Sequence, residues 1–404
     1  MKKGWVNRRL GDVVTRLTNG YVGPTRNIYF ESGVPYLLAR HVKSNRLLFD
    51  GKTFISEEFN RKNKKSMLKA GDVLLVQSGH IGHSAVVTEE HEGHNCHAMI
   101  VISPVKDAVT GPFLSLFFNS PDMQRKFEEI RSGSTVPHLT CSAVKELQIS
   151  LPQLPEQQRI VALLDQAFDG IAKARANAEK NLQNARDLFE SHLQSVFTQR
   201  GENWEEKPLE TVAAILNGYA FKSTDFSPKE GVKCIKITNV GVREFICESD
   251  TYLPVSFAVK YQAVSVKKGS IVLALTRTII AGGLKVAVVP DEYDGALLNQ
   301  RVASTIPNDK YLTTPFLFAY LSTQNVVSYV TERVNTLMQP NLSIADLRTM
   351  PIPVPNLREQ HQITDKLAGL RAETQRLESI YQHKLAALDA LKKSLLHHAF
   401  SGAL

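Results

Sequence analysis

Five short stretches in the first half of this 404-residue chain return, in the same order, in the second half. Asn19-Gly20-Tyr21 returns as Asn217-Gly218-Tyr219, and Ala70-Gly71-Asp72-Val73-Leu74-Leu75 as Lys268-Gly269-Ser270-Ile271-Val272-Leu273. Ile102-Ser103-Pro104 is answered by Thr305-Ile306-Pro307, and Val136-Pro137-His138-Leu139 by Gln339-Pro340-Asn341-Leu342. The longest match sets Leu151-Pro152-Gln153-Leu154-Pro155-Glu156-Gln157-Gln158-Arg159-Ile160 against Val354-Pro355-Asn356-Leu357-Arg358-Glu359-Gln360-His361-Gln362-Ile363. Collinear self-similarity marks an internal duplication. The offset is 198 residues early and 203 late, so the second copy carries a small net insertion after the Gly71/Gly269 match. One core rarely serves a chain this long, so two equivalent domains are expected.

The first ~150 residues of each copy read as mixed α/β. Apolar runs at 73–77 and 270–275 follow glycine-containing turns and predict strands, as do 34–38 and 233–238; helices are expected over 111–130 and 314–333. Each copy then closes on prolines and a long proline-free segment. Its apolar positions step by three and four: Ile160, Leu164, Ala167, Ile171, Ala174, Ala178, Leu182, Ala185 and Leu188 in the first copy. The second gives Ile363, Leu367, Leu370, Leu377, Tyr381, Leu385, Leu388, Leu391 and Leu395. That spacing keeps one stripe facing a partner helix, with a four-residue stutter at Ala178–Leu182 and Tyr381–Leu385. A helix of about 40 residues spans about 60 Å and needs cover for its stripe. The order lobe, helix, lobe, helix lets the two helices cover each other as an antiparallel coiled coil; packing of each on its own lobe is the alternative. The expected domains are 1–155, 156–200, 201–354 and 355–404, two α/β lobes each followed by a helix.

An apolar fraction of 43% suits a folded chain, and no run of eighteen apolar residues predicts a membrane span. No apolar stretch follows Met1-Lys2-Lys3-Gly4-Trp5, which points to a cytoplasmic protein. Cys96, Cys141, Cys234 and Cys247 are scattered and read as reduced thiols. The net charge of +8 is compatible with a polyanionic partner, and the excess lies in residues 1–155, with 20 basic and 14 acidic side chains.

Base reading needs forked donors and acceptors, whereas phosphates need only charge or small polar donors. Three pairs of polar loops offer such groups. Arg40, His41, Lys43, Asn45 and Arg46 correspond to Lys236, Thr238, Asn239 and Arg243. Gln77, Ser78 and His80 correspond to Thr276, Arg277 and Thr278. Arg131, Ser134, Thr135 and His138 correspond to Asn335, Gln339 and Asn341. Solvated turns are the plain alternative for each. The basic run Arg61, Lys62, Lys64 and Lys65 reads equally well as a phosphate contact or a solvated helix face. His80, His83, His91, His94, Cys96 and His97 lack the paired spacing of a zinc site, and the second copy has no counterpart, so no metal is expected. No Gly-x-x-x-x-Gly-Lys-Ser/Thr loop, Asn-Pro-Pro-aromatic sequence or nuclease carboxylate pattern is present, which predicts a chain without a catalytic centre.

The doubled Pro-x-Leu-x-Glu-Gln-x-x-Ile helix start resembles the specificity (S) subunit of type I restriction-modification systems. So do Leu297-Leu298-Asn299-Gln300-Arg301-Val302, the Asn-Gly-Tyr turns and the ending Ser394-Leu395-Leu396-His397-His398-Ala399-Phe400-Ser401-Gly402. The resemblance covers essentially the whole chain. It implies that each lobe is a target-recognition domain reading one block of a bipartite DNA site, with the helices as spacer. It further implies that the helices, starting at Glu156, Gln157, Ile160 and Leu164 and at Glu359, Gln360, Ile363 and Leu367, dock two methyltransferase subunits. S-adenosylmethionine, ATP and Mg would then belong to partner methyltransferase and restriction subunits, and this chain would bind no cofactor. A stand-alone two-lobed DNA-binding regulator with a coiled-coil stem is the alternative of a different class.

Overall fold

The computed structural model describes residues 4–43, 45–133, 137–227, 230–247, 251–333, 341–401 and 403. It forms two compact units, Met1–Lys180 with Gln382–Leu404, and Asn181–Tyr381. In the first unit an antiparallel sheet runs in the order Val14–Asn19, Met99–Pro104, Val73–Val76, Ser84–Val86. The second unit repeats it as Ala213–Asn217, Val302–Pro307, Ile271–Ala274, Val286–Val288. Every residue of Val73–Val76 and Ile271–Ala274 is buried, because both faces of the sheet are covered. Alternation sorts them: Val73 and Leu75 pack with Phe113 and Leu114 of the lobe helices, Leu74 and Val76 with Leu37 and Cys96 on the other face.

That other face is a small sheet in which Val34–Leu37 pairs antiparallel with Phe54–Ile55 and parallel with Asn95–Cys96. Val232–Ile235, Tyr252–Leu253 and Leu297–Leu298 repeat it. The Asn-Gly-Tyr turns carry the chain from one sheet to the other. Tyr21 N–H donates to the Cys96 carbonyl and Tyr219 N–H to the Leu298 carbonyl, both at 2.9 Å. A Cβ on Gly20 would lie 2.5 Å from the Cys96 oxygen, and one on Gly218 2.0 Å from that of Asn299. Only glycine permits that approach.

Two expectations change in detail. The segment 111–130 is two helices, Gly111–Phe118 and Pro121–Ile130, since Pro121 opens a helix at its first position and cannot continue one. Likewise Thr314–Leu321 and Gln324–Arg333 part at Ser322 and Thr323, whose hydroxyls donate back to the Phe318 and Tyr320 carbonyls. The inserted residues are also located. Val73 pairs with Val86 but Ile271 with Val288, so the offset grows from 198 to 202 across the hairpin Ile279–Ile280/Gly283–Leu284.

Each long helix, Leu154–Thr198 and Leu357–Ser401, has 45 residues, about 68 Å at 1.5 Å per residue. Both pass through the two units. In the first unit Arg175 pairs with Asp389 at 2.5 Å and the Lys392 ammonium lies 5.0 Å from the Phe168 ring centre. In the second, Arg186 pairs with Glu378 at 3.1 Å and Arg371 covers Phe189. Partner numbers fall as helix numbers rise, so within each unit the two segments run antiparallel. The heptad reading fails at equivalent places: Leu188 and Leu391 are 51% and 47% exposed, while Phe189 and Lys392 turn inward. From there the inward positions continue in steps of four, Phe189–Leu193–Phe197 and Lys392–Leu396–Phe400, from the partner helix at Phe189 and Lys392 into the lobe cores.

Each lobe is thus held by the start of one long helix and the end of the other. Ile160 and Leu164 share the first lobe's core with Leu396 and Ala399; Phe400 packs edge-on against Phe113 and Phe117, with centroids 5.3 Å away in each pair. Leu367 and partly buried Ile363 share the second core with Leu193, and Phe197 lies 5.3 Å from both Phe316 and Tyr320. At the roots, Gln157 and Gln360 are fully buried. The Gln157 carbonyl accepts from Thr110 N–H at 2.9 Å, and its amide donates to Ala108 and Pro152. Gln360 does the same with Thr313, Tyr311 and Pro355.

Phe197→Ala should therefore destabilise the second unit by about 3–5 kcal/mol in denaturant titration. Gln360→Leu should weaken it by about 1–3 kcal/mol for each buried backbone group left without a partner. Changes within about 0.5 kcal/mol for both would show that the helix ends do not hold the lobe.

Candidate nucleic-acid interface

The structure brings the three polar loops of each unit together. In the first unit Ser78 and Ser132 both bridge to His138, and Leu139 N–H donates to the Gln77 carbonyl at 2.8 Å. His80 stacks on His83, centroids 5.5 Å apart and planes at 26°. His83 in turn borders a cleft of about 280 Å³ with Asn45, Asn119, Asp389, Lys392 and Lys393. In the second unit Thr276 bridges to Asn341, and Leu342 N–H donates to the Leu275 carbonyl. Lys285 ties the remaining loops together: its N–H donates to the Thr278 carbonyl and its ammonium to the Ile237 carbonyl.

Several residues expected to face DNA serve the fold instead. His41 is buried; its Nδ1 accepts from Leu38 N–H at 3.0 Å, its ring edges Phe49, and its Nε2 lies 3.1 Å from Asp50. Asn239 holds the equivalent place, accepting from Lys236 N–H at 2.9 Å and donating to the Ile246 carbonyl at 3.0 Å. Thr278 is buried too. His41 and Asn239 close turns with their side chains, the Thr278 hydroxyl is enclosed without a hydrogen-bond partner among the described residues, and none of the three faces solvent. Asn45 and Arg243 sit at equivalent turn tips with φ of 68° and 59°. Asn45 accepts from Ser115 and Asn119 at the end of a lobe helix. Arg243 pairs with Glu190 and donates to the Ser322 carbonyl at 2.9 Å, so its charge is already matched. Polar character at a turn marks all five, but four are taken up by hydrogen bonds or an ion pair within the fold and Thr278 by burial.

The other positions differ in how committed they are. Arg40 pairs with Asp50 at 3.1 Å, Arg131 with Glu128 at 2.6 Å, and Arg46 lies 3.6 Å from Asp169. Lys236 lies 3.8 Å over the Phe226 ring. Lys43, Thr238, Arg277 and Asn341 are exposed. Ser134, Thr135, Asn335 and Gln339 lie outside the described residues. At the helix starts, Glu156 pairs with Arg159, and Glu359 accepts from the Trp204 indole at 2.8 Å. Gln157, Gln360, Ile160, Leu164 and Leu367 are buried and Ile363 half-buried, all against their own lobes. That corrects their reading as a docking face: a surface that anchors the lobe is closed to another protein.

His83 and Lys285 belong to the site, although the sequence did not single them out as DNA contacts. They are equivalent only at an offset of 202, beyond the inserted hairpin, and a constant offset of 198 hides the pairing. Burial first, then a neighbouring basic side chain, holds the pKa of both below the ordinary value: His80 acts on His83 and Arg277 on Lys285. The remaining imidazoles scatter. His91 bonds Thr88 at 2.8 Å, His97 lies 3.4 Å from the Tyr36 hydroxyl, and burial pushes the Cys96 thiol up to about 12. Among the described residues no three potential ligands converge on a metal position.

The profile described as Type I restriction modification DNA specificity domain matches residues 2–180 and, a second time, residues 201–382. The chain belongs to this type I specificity family. It is similar to the type I restriction enzyme MjaVIII specificity subunit of Methanocaldococcus jannaschii, 26% identical over 412 residues that cover 98% of this chain and 92% of that one. The fold is shared with a chain from a structure titled for complex assembly and conformational transition of the type I R-M system, with TM-score 0.77, 19% identity and coverage of 100% and 99%. It is also shared with the HsdS subunit of Thermoanaerobacter tengcongensis, with TM-score 0.64, 18% identity and coverage of 100% and 98%. The two type I specificity matches each enclose one lobe and its three converging loops.

Within this type I specificity pair the lobes should differ in acid sensitivity. Burial lowers His41, His83, His94 and His97, all in the first unit. A histidine with a depressed folded pKa binds its proton more readily when unfolded. Its stabilisation is therefore complete above the unfolded value near 6.5 and declines as pH falls from there towards the folded value. The second unit contains only His192 and His361. Hydrogen exchange corrected for intrinsic rates should show the first unit losing protection between pH 7.5 and 5.5 before the second. Equal losses would contradict the assignment.

Proposed function

We propose that this chain is the DNA-specificity subunit of a type I restriction-modification assembly and reads a two-part target, one block with each lobe. The observation that carries this reading is the doubled unit, with one strand order in both lobes and the specificity-domain profile matching each. On this reading residues 1–155 and 201–354 are the two target-recognition modules. The helices of 156–200 and 355–404 form an antiparallel coiled-coil spacer between them. Two blocks read from one face of B-DNA lie one helical turn apart, about 34–36 Å, or a multiple of it. The same spacer docks two methyltransferase subunits, through its outward faces and not through the buried helix roots, and restriction subunits join that core.

The chain itself supplies recognition and no chemistry. Methyl transfer from S-adenosylmethionine and ATP- and Mg-dependent cleavage are the work of the partner subunits, in the cytoplasm. Phosphate contacts give most of the affinity and its salt dependence, while the exposed loop side chains choose the sequence. No helix among the described residues is long and apolar enough to cross a membrane.

Exchanging residues 1–150 for the corresponding lobe of another specificity subunit should change one block of the methylated target and leave the other intact. Alteration of both blocks, or of neither, would overturn modular reading. Removing about one heptad from each long helix should shorten the spacer between the blocks without changing either block. An unchanged spacer would overturn the ruler role. Tight sequence-specific binding by the isolated chain, with no effect of added methyltransferase subunits, would favour a stand-alone regulator.

A further inference from the structure

We propose that Arg277 reads a guanine in the DNA block recognised by the second lobe, its forked N–H donors meeting O6 and N7 on the major-groove edge. The inference rests on the reading of the lobes as DNA-recognition modules and assigns one base contact within it.

The duplication supplies an internal control. Gly79 and Arg277 occupy the same place, one residue past the equivalent bridges Ser78–His138 and Thr276–Asn341. Both adopt left-handed backbone, with φ of 76° at Gly79 and 50° at Arg277. Glycine meets that demand without strain, whereas a side chain there is disfavoured. The fold therefore has no use for an arginine at this position. Strain at an exposed loop tip points outward, to a partner.

The charge environment agrees. Arg40, Arg131 and Arg243 each face a carboxylate within the fold. Arg277 is exposed and, among the described residues, has no ion pair or side-chain hydrogen bond. It lies near Lys285, whose ammonium is committed to the Ile237 carbonyl. Among the described residues neither cation has an ion-pair partner, so the pair offers positive charge to a polyanion. Beside them the inserted hairpin exposes Ile280, and such a two-stranded ribbon fits a major groove.

A base contact explains the difference between lobes better than a phosphate contact does. Two equivalent modules need the same backbone anchors, and Gly79 supplies none. What must differ is the sequence read. Arginine on guanine O6 and N7 is the commonest specific contact in the major groove.

The test uses the full chain assembled with methyltransferase subunits and duplexes carrying its mapped target. Each guanine of the second block is replaced singly by 7-deazaguanine, which lacks the N7 acceptor. Parent protein should lose about 5- to 150-fold affinity at one of these positions. Arg277→Gly, which installs the residue of the first lobe and relieves the backbone, should fold at least as stably. It should bind unmodified DNA with a similar loss and become indifferent to that one substitution, so the two losses do not add. Arg277→Lys should retain salt-dependent affinity but lose the discrimination. Additive losses would overturn the assignment, as would no loss, a second block without guanine, or equal weakening on every sequence with a salt slope shallower by about one, the mark of a phosphate contact. Each of those results leaves bipartite recognition standing; only failure of the assembly to prefer its mapped target to unrelated DNA would remove both.

Discussion

Each lobe depends on a buried amide. Gln157 and Gln360 close the helix roots by bonding three backbone groups apiece, two of them in the segment that leads into a lobe helix. An amide taken out of water is tolerated only when its donors and acceptors are matched, and here they are. The orientation of each long helix on its lobe is fixed at the point where it departs. The opposite side of the grip is apolar: Phe400 packs on the lobe helix Gly111–Phe118 and Phe197 on Thr314–Leu321. Polar matching sets direction, and apolar burial adds holding energy.

This arrangement explains why the proline–Glu–Gln sequence occurs twice and at the same distance from its lobe. The prolines end the closing ribbon strands, Gln148–Leu151 and Pro351–Val354, which pair with Val6–Arg9 and Glu205–Pro208. The glutamine then bonds the proline carbonyl five residues earlier and the segment that leads into the lobe helix. A recognition module built this way presents its loops from a sheet buried on both faces, so loop chemistry can change without disturbing the support. Histidines at 80 and 83 in one lobe and Arg277 with Lys285 in the other are two such variations on one scaffold.

Much of the fold was legible in the sequence because duplication and periodicity are collective signals. Val73–Val76 and Ile271–Ala274 are strands as expected, and both long helices run over the expected segments. Features that depend on one residue's surroundings were less legible. Leu188 and Leu391 fit the heptad, yet they are exposed and the neighbouring Phe189 and Lys392 turn inward, because local periodicity does not report where the stripe passes from a helix partner to a lobe. His41 and Asn239 look like groove contacts by residue type, and only tertiary structure shows that each closes a turn inside the lobe. His83 and Lys285 were hidden by an insertion of four residues between matched strands. For the candidate site, the sequence located the loops, and the structure sorted which side chains they leave available.

Two equivalent readers on one chain imply a single DNA target of two parts. Mapping methylated adenines across the genome, in cells with and without this chain, tests it most directly. Adenines should be methylated only when the chain is present, in a motif of two defined blocks separated by a constant number of unspecified base pairs. An identical methylation pattern without the chain, or a single uninterrupted motif, would contradict it.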